Sequence, residues 1–304
     1  DDPFSLNVAG GFSSMIAREC LAEADLIVAL GCSLARHNSD GGALWPNADV
    51  LQIDLAPQTV SQGRIAAQTH LRADARLAAE ALTQAVTQRP PDWRGDGLAT
   101  RIRTLPADDA HFDIEPGTLD PRDLVTALDQ AIPQDWQLVN SSGHCSFYFA
   151  QMPRRRHDRF LTIREYGAIG NGTSFAMGVA AAHPEVPVVM FDGDGSLLMH
   201  VQELETIRRH GLNILIVVAN DGGFGSEFHK LRAEGLDTGG AIFGRTDLAA
   251  IARGFGLGGE TVTDLSALPQ MLADFAGTGG AAVWDVPVSD RVISPVIRRA
   301  HPPT

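Results

Sequence analysis

Two apolar runs, each breaking off into a cluster of glycine and acidic or amide residues, constrain this chain more than any other feature. The first, Val186–Phe191, runs into Gly193-Asp194-Gly195-Ser196; the second, Ile214–Ala219, runs into Asn220-Asp221. Short continuous apolar runs of this kind read as strands of a buried parallel sheet. The helical pattern Val201–His210 between them is long enough for a right-handed crossover. The two strands are therefore expected to lie side by side, with both clusters at the same carboxyl edge, where ligands of open α/β sheets collect. Asp194 and Asp221 stand 27 residues apart.

The same alternation extends along the chain. Helix Ser14–Glu23, strand Leu26–Leu30, strand Val50–Leu55 and helix Asp74–Val86 are expected in the first part. After a break rich in proline and polar residues come helix Pro121–Ala131, strand Gln137–Asn140, and the glycine-rich stretch Gly167–Gly172 leading into helix Thr173–Ala182. Helices Asp247–Phe255 and Ser266–Phe275 and strand Ala281–Val286 close the pattern. Proline at the first position of the helix at 121 costs no helical donor. The fold class is α/β: two doubly wound parallel-sheet domains, at 1–90 and 121–304, joined by a linker at 91–120 with one short helix.

The chain carries 37 acidic and 24 basic residues, a net charge of −13. That surface repels nucleic-acid backbones and anionic lipid, which argues against both as partners. The basic run Arg154-Arg155-Arg156 is read as a solvated loop. Cys20, Cys32 and Cys145 are scattered, with no CxxC pattern, which fits a reducing cytoplasm rather than a disulfide framework. No apolar run approaches the ~20 residues of a membrane span. The opening residues, acidic and polar, look like a cut inside a longer protein.

The paired clusters suit Mg²⁺, which takes about six oxygens. Asp194 offers a carboxylate, Asp221 a second oxygen and Gly223 a backbone carbonyl; a diphosphate and water complete the set. Gly195 and Ser196, ahead of a helix, have amides free to face phosphate oxygens. A plain turn is the alternative for GDGS alone; its pairing with the second cluster favours metal–diphosphate binding.

The stretch GDGSLLMHVQELETIRRHGLNILIVVAND resembles the diphosphate–Mg²⁺ signature of thiamine-diphosphate (ThDP) enzymes, in particular the acetolactate synthase, pyruvate oxidase and benzoylformate decarboxylase family. REYGAIGNGTSFAMGVAAA is similar to that family's cofactor-cradling segment, and ADLIVALGCSLARH with VLQIDLAP to its central domain. The resemblance implies a central domain at 1–90 and a ThDP diphosphate- and Mg²⁺-binding domain at 121–304. It implies a decarboxylase or carboligase acting on a 2-keto acid, an oligomer (homodimer or homotetramer), and metal ligands Asp194, Asp221 and Gly223. Gly143, His144, Gly193, Gly195, Ser196 and Phe224 fall in the cofactor-binding positions. Gly167, Ala168 and Ile169 fall where the aminopyrimidine is held, Gly167 by its carbonyl and Ile169 by wedging the cofactor into its bent form. Core packing for Ile169 and a surface loop for His144 remain open as alternatives.

Three departures matter. Asp221 stands where the family has asparagine, adding a negative charge beside a diphosphate; rotation of Asn220 into its place is the alternative. Ser226, Glu227 and Lys230 stand where acetolactate synthases present bulky apolar side chains to a small keto acid, so they imply a more polar substrate pocket, with a plain solvated helix as the alternative. The loop Gly31–Arg36 lacks the arginine two places after its glycine, which argues against FAD. The catalytic residue is not identified: the family's activating glutamate lies on an N-terminal pyrimidine-binding domain, expected as a partner domain or subunit, and the 304 residues alone are expected to be inactive. A catalytically silent or regulatory cofactor-binding subunit, or a FAD- or NAD-binding module, remains open.

Overall fold

The computed structural model describes residues 2–58, 60–87, 94–153 and 155–302, in two compact units, Asp1–Asp109 and Ala110–Thr304.

In the first unit, helix α1 (Met15–Ala22) leads into β1 (Leu26–Leu30). Helix α2 (Arg36–Ser39), β2 (Asp49–Asp54), a hairpin of β3 (Val60–Ser61) and β4 (Arg64–Ile65), β5 (Thr69–Arg72), α3 (Ala75–Ala85) and α4 (Asp96–Thr104) follow. Ser14 and Asp74 start α1 and α3 in the usual way: each side-chain oxygen accepts an amide of the first turn, Ala17 at 3.3 Å and Leu77 at 3.0 Å. Strands β1, β2 and β5 form a three-stranded parallel sheet in that order. Its packed side holds Ala29, Val50, Leu34, Leu44 and Trp45.

Burial of β1 differs from expectation. Leu26, Val28 and Leu30 are 53%, 40% and 41% exposed, while Ala29 is buried. Side chains alternate across a strand, so an apolar run fills both faces whether or not a layer covers each. The stretch 91–120 is expected to carry one short helix, and α4 (Asp96–Thr104) lies within it. Residues 88–93 lie outside the described residues, but α4 packs on α1, with Arg101 bonded to Glu19 at 2.6 Å.

In the second unit the order is α5 (Pro121–Ala131), β6 (Gln137–Asn140), α6 (Cys145–Phe149), β7 (Phe160–Thr162), α7 (Gly172–Ala182), β8 (Val188–Gly193), α8 (Asp194–Met199) and α9 (Glu203–His210). Then come β9 (Ile214–Asn220), α10 (Gly225–Ala233), α11 (Leu248–Gly254), β10 (Gly258–Thr261), α12 (Leu268–Thr278), β11 (Ala281–Pro287) and α13 (Pro295–Ala300). All six strands are parallel, ordered β10-β11-β9-β8-β6-β7. The chain leaves β6 for β7 on one flank and returns to β8 on the other, so the topological switch lies between β6 and β8. Every residue of β9 is buried, and Val188, Met190, Ile214, Ile216 and Val218 join Leu204 and Ile207 of the crossover helix in one core.

The basic run is not a solvated loop throughout. Arg154 lies outside the described residues. Arg156 is exposed and pairs with Asp158. Arg155, however, is buried against Asp129: its side chain is 3% exposed, its Nε donates to Asp129 Oδ1 at 2.8 Å, and its remaining donors reach the carbonyls of Asp129, Ile132 and Pro133. Composition does not reveal that α5 ends in three carbonyls needing donors and a buried carboxylate needing a cation.

Candidate active site

Asp194 and Asp221 sit at the carboxyl ends of neighbouring strands. Strands β8 and β9 pair in register from Val188↔Ile214 to Gly193↔Ala219, and the two acids follow directly. Asp194 opens α8 and is 1% exposed; its Oδ2 accepts the Gly222 amide at 2.9 Å, and its Oδ1 has no hydrogen-bond partner among the described residues. Asp221 is nearly as enclosed, its side chain 12% exposed. Burial pushes both carboxyls up, and for Asp194 the neighbouring Asp221 adds to the push. Two crowded carboxylates with an unpartnered buried oxygen have the character of a cation site. Among the described residues no group of three or more His, Cys, Asp and Glu side chains stands ready for a metal, so the rest of an oxygen shell has to come from backbone, water or ligand.

Glycines let the loops close around this pair. A Cβ on Gly195 would meet the Phe224 ring at 2.7 Å, and one on Gly225 would run into Asp221 Oδ2 and lie 2.9 Å from His144 Cβ. Gly223 approaches the chain at Ala241, whose carbonyl accepts the Phe224 amide at 2.8 Å. Ser196 ties α8 to the glycine-rich loop by accepting the Gly170 amide at 2.8 Å. In that loop Tyr166 (φ 55°) and Gly167 (φ 65°) are left-handed, and Gly167 and Ala168 are exposed. Ile169 is half-buried; its Cγ2 would be 3.7 Å from a Cβ on Gly143, so the loops after β6 and β7 meet there.

His144 is not a surface residue: it is 8% exposed. Its Nε2 accepts the Ser294 amide at 3.1 Å, which leaves the ring proton on Nδ1, 4.0 Å from Asp221 Oδ2. Burial lowers its pKa to about 3, helped by the Lys230 charge, so the ring is neutral. His229 packs beside it, its ring tilted by 58° with centroids 4.7 Å apart, and neither of its ring nitrogens has a partner among the described residues.

Asn220 does not rotate in. Its amide donates to Asp285 Oδ1 at 2.8 Å and to the Thr246 carbonyl at 3.1 Å, which holds β9 to β11 and leaves Asp221 facing the site. On α10, Ser226 is half-buried and Glu227 is exposed, with Lys230 paired to Glu227 at 3.2 Å.

Sequence reasoning passed over several groups. Asp192, wholly buried, has both carboxyl oxygens outside hydrogen-bond geometry among the described residues; burial pushes it up to about 7 against the opposing pull of the Ser196 and Ser141 hydroxyls. It lies one residue before the motif, a visible signal. Arg245, which donates to the Asn220 and Val288 carbonyls, and Glu115, which holds Arg245, come from distant segments and had none.

Residues 141–286 match the family model described as "Thiamine pyrophosphate enzyme, C-terminal TPP binding domain". The chain is 29% identical to the putative acetolactate synthase large subunit IlvB2 of Mycobacterium tuberculosis, over 97% of this chain and 54% of that protein. It is 27% identical to the acetolactate synthase large subunit of Parasynechococcus marenigrum, over 90% of this chain and 45% of that protein. It is 25% identical to the acetolactate synthase isozyme 2 large subunit of Escherichia coli, over 95% of this chain and 52% of that protein. The chain thus spans about half the length of the curated relatives it matches. Residues 141–286 thus match the C-terminal TPP-binding domain of thiamine pyrophosphate enzymes, and along most of its length the chain is similar to acetolactate synthase large subunits.

Proposed function

We propose that this chain is the cofactor-binding part of a ThDP- and Mg²⁺-dependent enzyme that decarboxylates a 2-keto acid or joins it to an acceptor. The observation that carries the reading is the strand-end pair: Asp194 and Asp221, both pushed toward protonation, with Asp194 Oδ1 buried and unpartnered among the described residues. A divalent cation relieves both strains at once. Asp194 and Asp221 hold it through side chains and Gly223 through its carbonyl. Gly193, Gly195 and Ser196 present backbone to the diphosphate where a larger residue at 195 would strike Phe224. Gly143 and His144 close the site from the loop after β6, and Gly167, Ala168 and Ile169 take the aminopyrimidine. Bound ThDP supplies a nucleophilic carbon and an electron sink; the chain supplies charge balance, orientation and enclosure.

Ser226, Glu227 and Lys230 face the substrate end and favour a polar or anionic 2-keto acid over pyruvate. A pyrimidine-binding domain or subunit completes the active site, and the working enzyme is a homodimer or homotetramer. Among the described residues no helix is long and apolar enough to cross a membrane.

Calorimetry with ThDP, with and without Mg²⁺, tests the core of this reading. Mg²⁺-dependent binding that disappears in Asp194→Ala supports it; binding indifferent to Mg²⁺ and to that substitution overturns it. Binding without 2-keto acid turnover, once a pyrimidine-binding partner is supplied, identifies a silent subunit instead.

A further inference from the structure

The hydroxyl of Ser196 joins two loops that the ThDP reading assigns to opposite ends of one cofactor. Its Oγ accepts the Gly170 amide at 2.8 Å, and the Ser141 hydroxyl lies 3.4 Å away, where either oxygen can donate. Ser196 belongs to the turn after β8, Gly170 to the loop after β7, and Ser141 follows the last residue of β6. All three residues are buried. Ser141 also lies under the start of α7, where a Cβ on Gly172 would come within 2.9 Å of its hydroxyl.

The loop from Tyr166 to Gly170 follows no regular course. Tyr166 (φ 55°), Gly167 (φ 65°) and Gly170 (φ 89°) are left-handed, and Gly167 and Ala168 are exposed. Its path therefore depends on how its two ends are held. Near the start, the Gly167 amide donates to the Arg164 carbonyl at 3.1 Å. At the far end, the buried Gly170 amide needs an acceptor, and the Ser196 side chain supplies it. A Cβ on Gly170 would lie 3.1 Å from Met199 Cβ. Ser196 and Met199 stand three residues apart on α8, so one face of that helix both bonds and packs the loop.

We propose that Ser196 is a positioning residue through its side chain: its hydroxyl sets the loop that meets the aminopyrimidine while its backbone faces the diphosphate, so that the two ends of the cofactor are recognised together. The proposal rests on the ThDP–Mg²⁺ reading above and adds to it a role for the hydroxyl. The bond itself is a property of the chain without ligand. A ligand that holds the turn at 194–196 steadies Gly170, and a contact at the loop steadies the turn, because coupling between two sites is reciprocal.

The test compares the full wild-type chain with Ser196→Ala and Ser141→Ala. Alanine at 196 keeps the backbone amide and removes the acceptor; Ser141→Ala leaves the bond between Ser196 and Gly170 in place. Without ligand, hydrogen exchange at the Gly170 amide, read by NMR, is expected to quicken about three- to tenfold in Ser196→Ala, and clearly less in Ser141→Ala. Mg²⁺ with inorganic diphosphate is expected to slow that exchange in the wild type, and the slowing to be lost in Ser196→Ala. In calorimetry with Mg²⁺, Ser196→Ala is expected to weaken ThDP about three- to tenfold more than it weakens inorganic diphosphate. Equal losses for the two ligands, or unchanged exchange at Gly170 in Ser196→Ala, would overturn the proposal. A wild-type chain that binds neither ligand with Mg²⁺ overturns the ThDP reading and the coupling with it; quickened exchange in Ser196→Ala would then leave Ser196 as an anchor of the loop alone.

Discussion

Gly222 donates its backbone amide to Asp194 Oδ2 at 2.9 Å, so the loop that presents Asp221 is bonded to the carboxylate of the neighbouring strand. The two acids are thereby one unit. Displacing Asp194 moves the Asp221 loop, and a cation held by either draws on both.

The first prediction concerns pH. Burial raises the carboxyls of Asp194, Asp221 and Asp192, the last to about 7, above the value of ~3.9 they have in an unfolded chain. The folded protein therefore holds more protons than the unfolded one across this window, and its stability falls as pH rises from about 4 to 7. Thermal midpoints without metal should decline over that range. Added Mg²⁺ should flatten the decline and release protons, seen as a dependence of binding heat on buffer ionisation. A midpoint that rises with pH would contradict the burial argument.

Gly195 has no room for a side chain. In Gly195→Ala the new methyl meets the Phe224 ring at 2.7 Å, and overpacking of this kind costs about 1–3 kcal/mol. ThDP affinity should fall as the ring is pushed aside. Phe224→Ala in the same chain should recover stability, which urea unfolding would show.

His144 should remain neutral with its proton on Nδ1, because Nε2 is the acceptor for Ser294. Nitrogen NMR of the labelled ring should report that tautomer unchanged from pH 5 to 8, since burial holds the pKa near about 3. A ring that titrates near its ordinary value of ~6.5 would mean that water reaches the pocket.

Arg155 and Asp129 form a buried pair, 3% and 6% exposed at their side chains. Removing one partner strands a buried charge, so Arg155→Met should destabilise the chain by about 3–5 kcal/mol. Arg156→Met, at the exposed neighbour, should leave stability essentially unchanged. Denaturant titration of both variants measures the contrast.

Substrate choice is tested at Lys230. If the Glu227–Lys230 pair borders the substrate, Lys230→Ala should lower kcat/KM for an anionic 2-keto acid about tenfold more than for pyruvate. The measurement needs the active assembly; equal losses on both substrates would return α10 to a solvated surface.

The sequence by itself determined the strand–helix alternation and the place of the two strand-end acids. Apolar runs such as Ile214–Ala219 leave few options but a central strand, and residues that end such runs land on one sheet edge. That logic located Asp194 and Asp221, which β8 and β9 do set side by side. Strands β7 and β10 escaped it, being three and four residues long, with two glycines opening β10. Only the tertiary structure decided which polar groups meet across long separations. It committed Asn220 to Asp285, buried Arg155 on Asp129, turned His144 Nε2 to Ser294, and set Arg245 between the Asn220 carbonyl and Glu115. Such pairings depend on where desolvated donors and acceptors come to lie after the sheet is assembled. Hydrophobic period carries no information about that; it depends on satisfying each buried polar group.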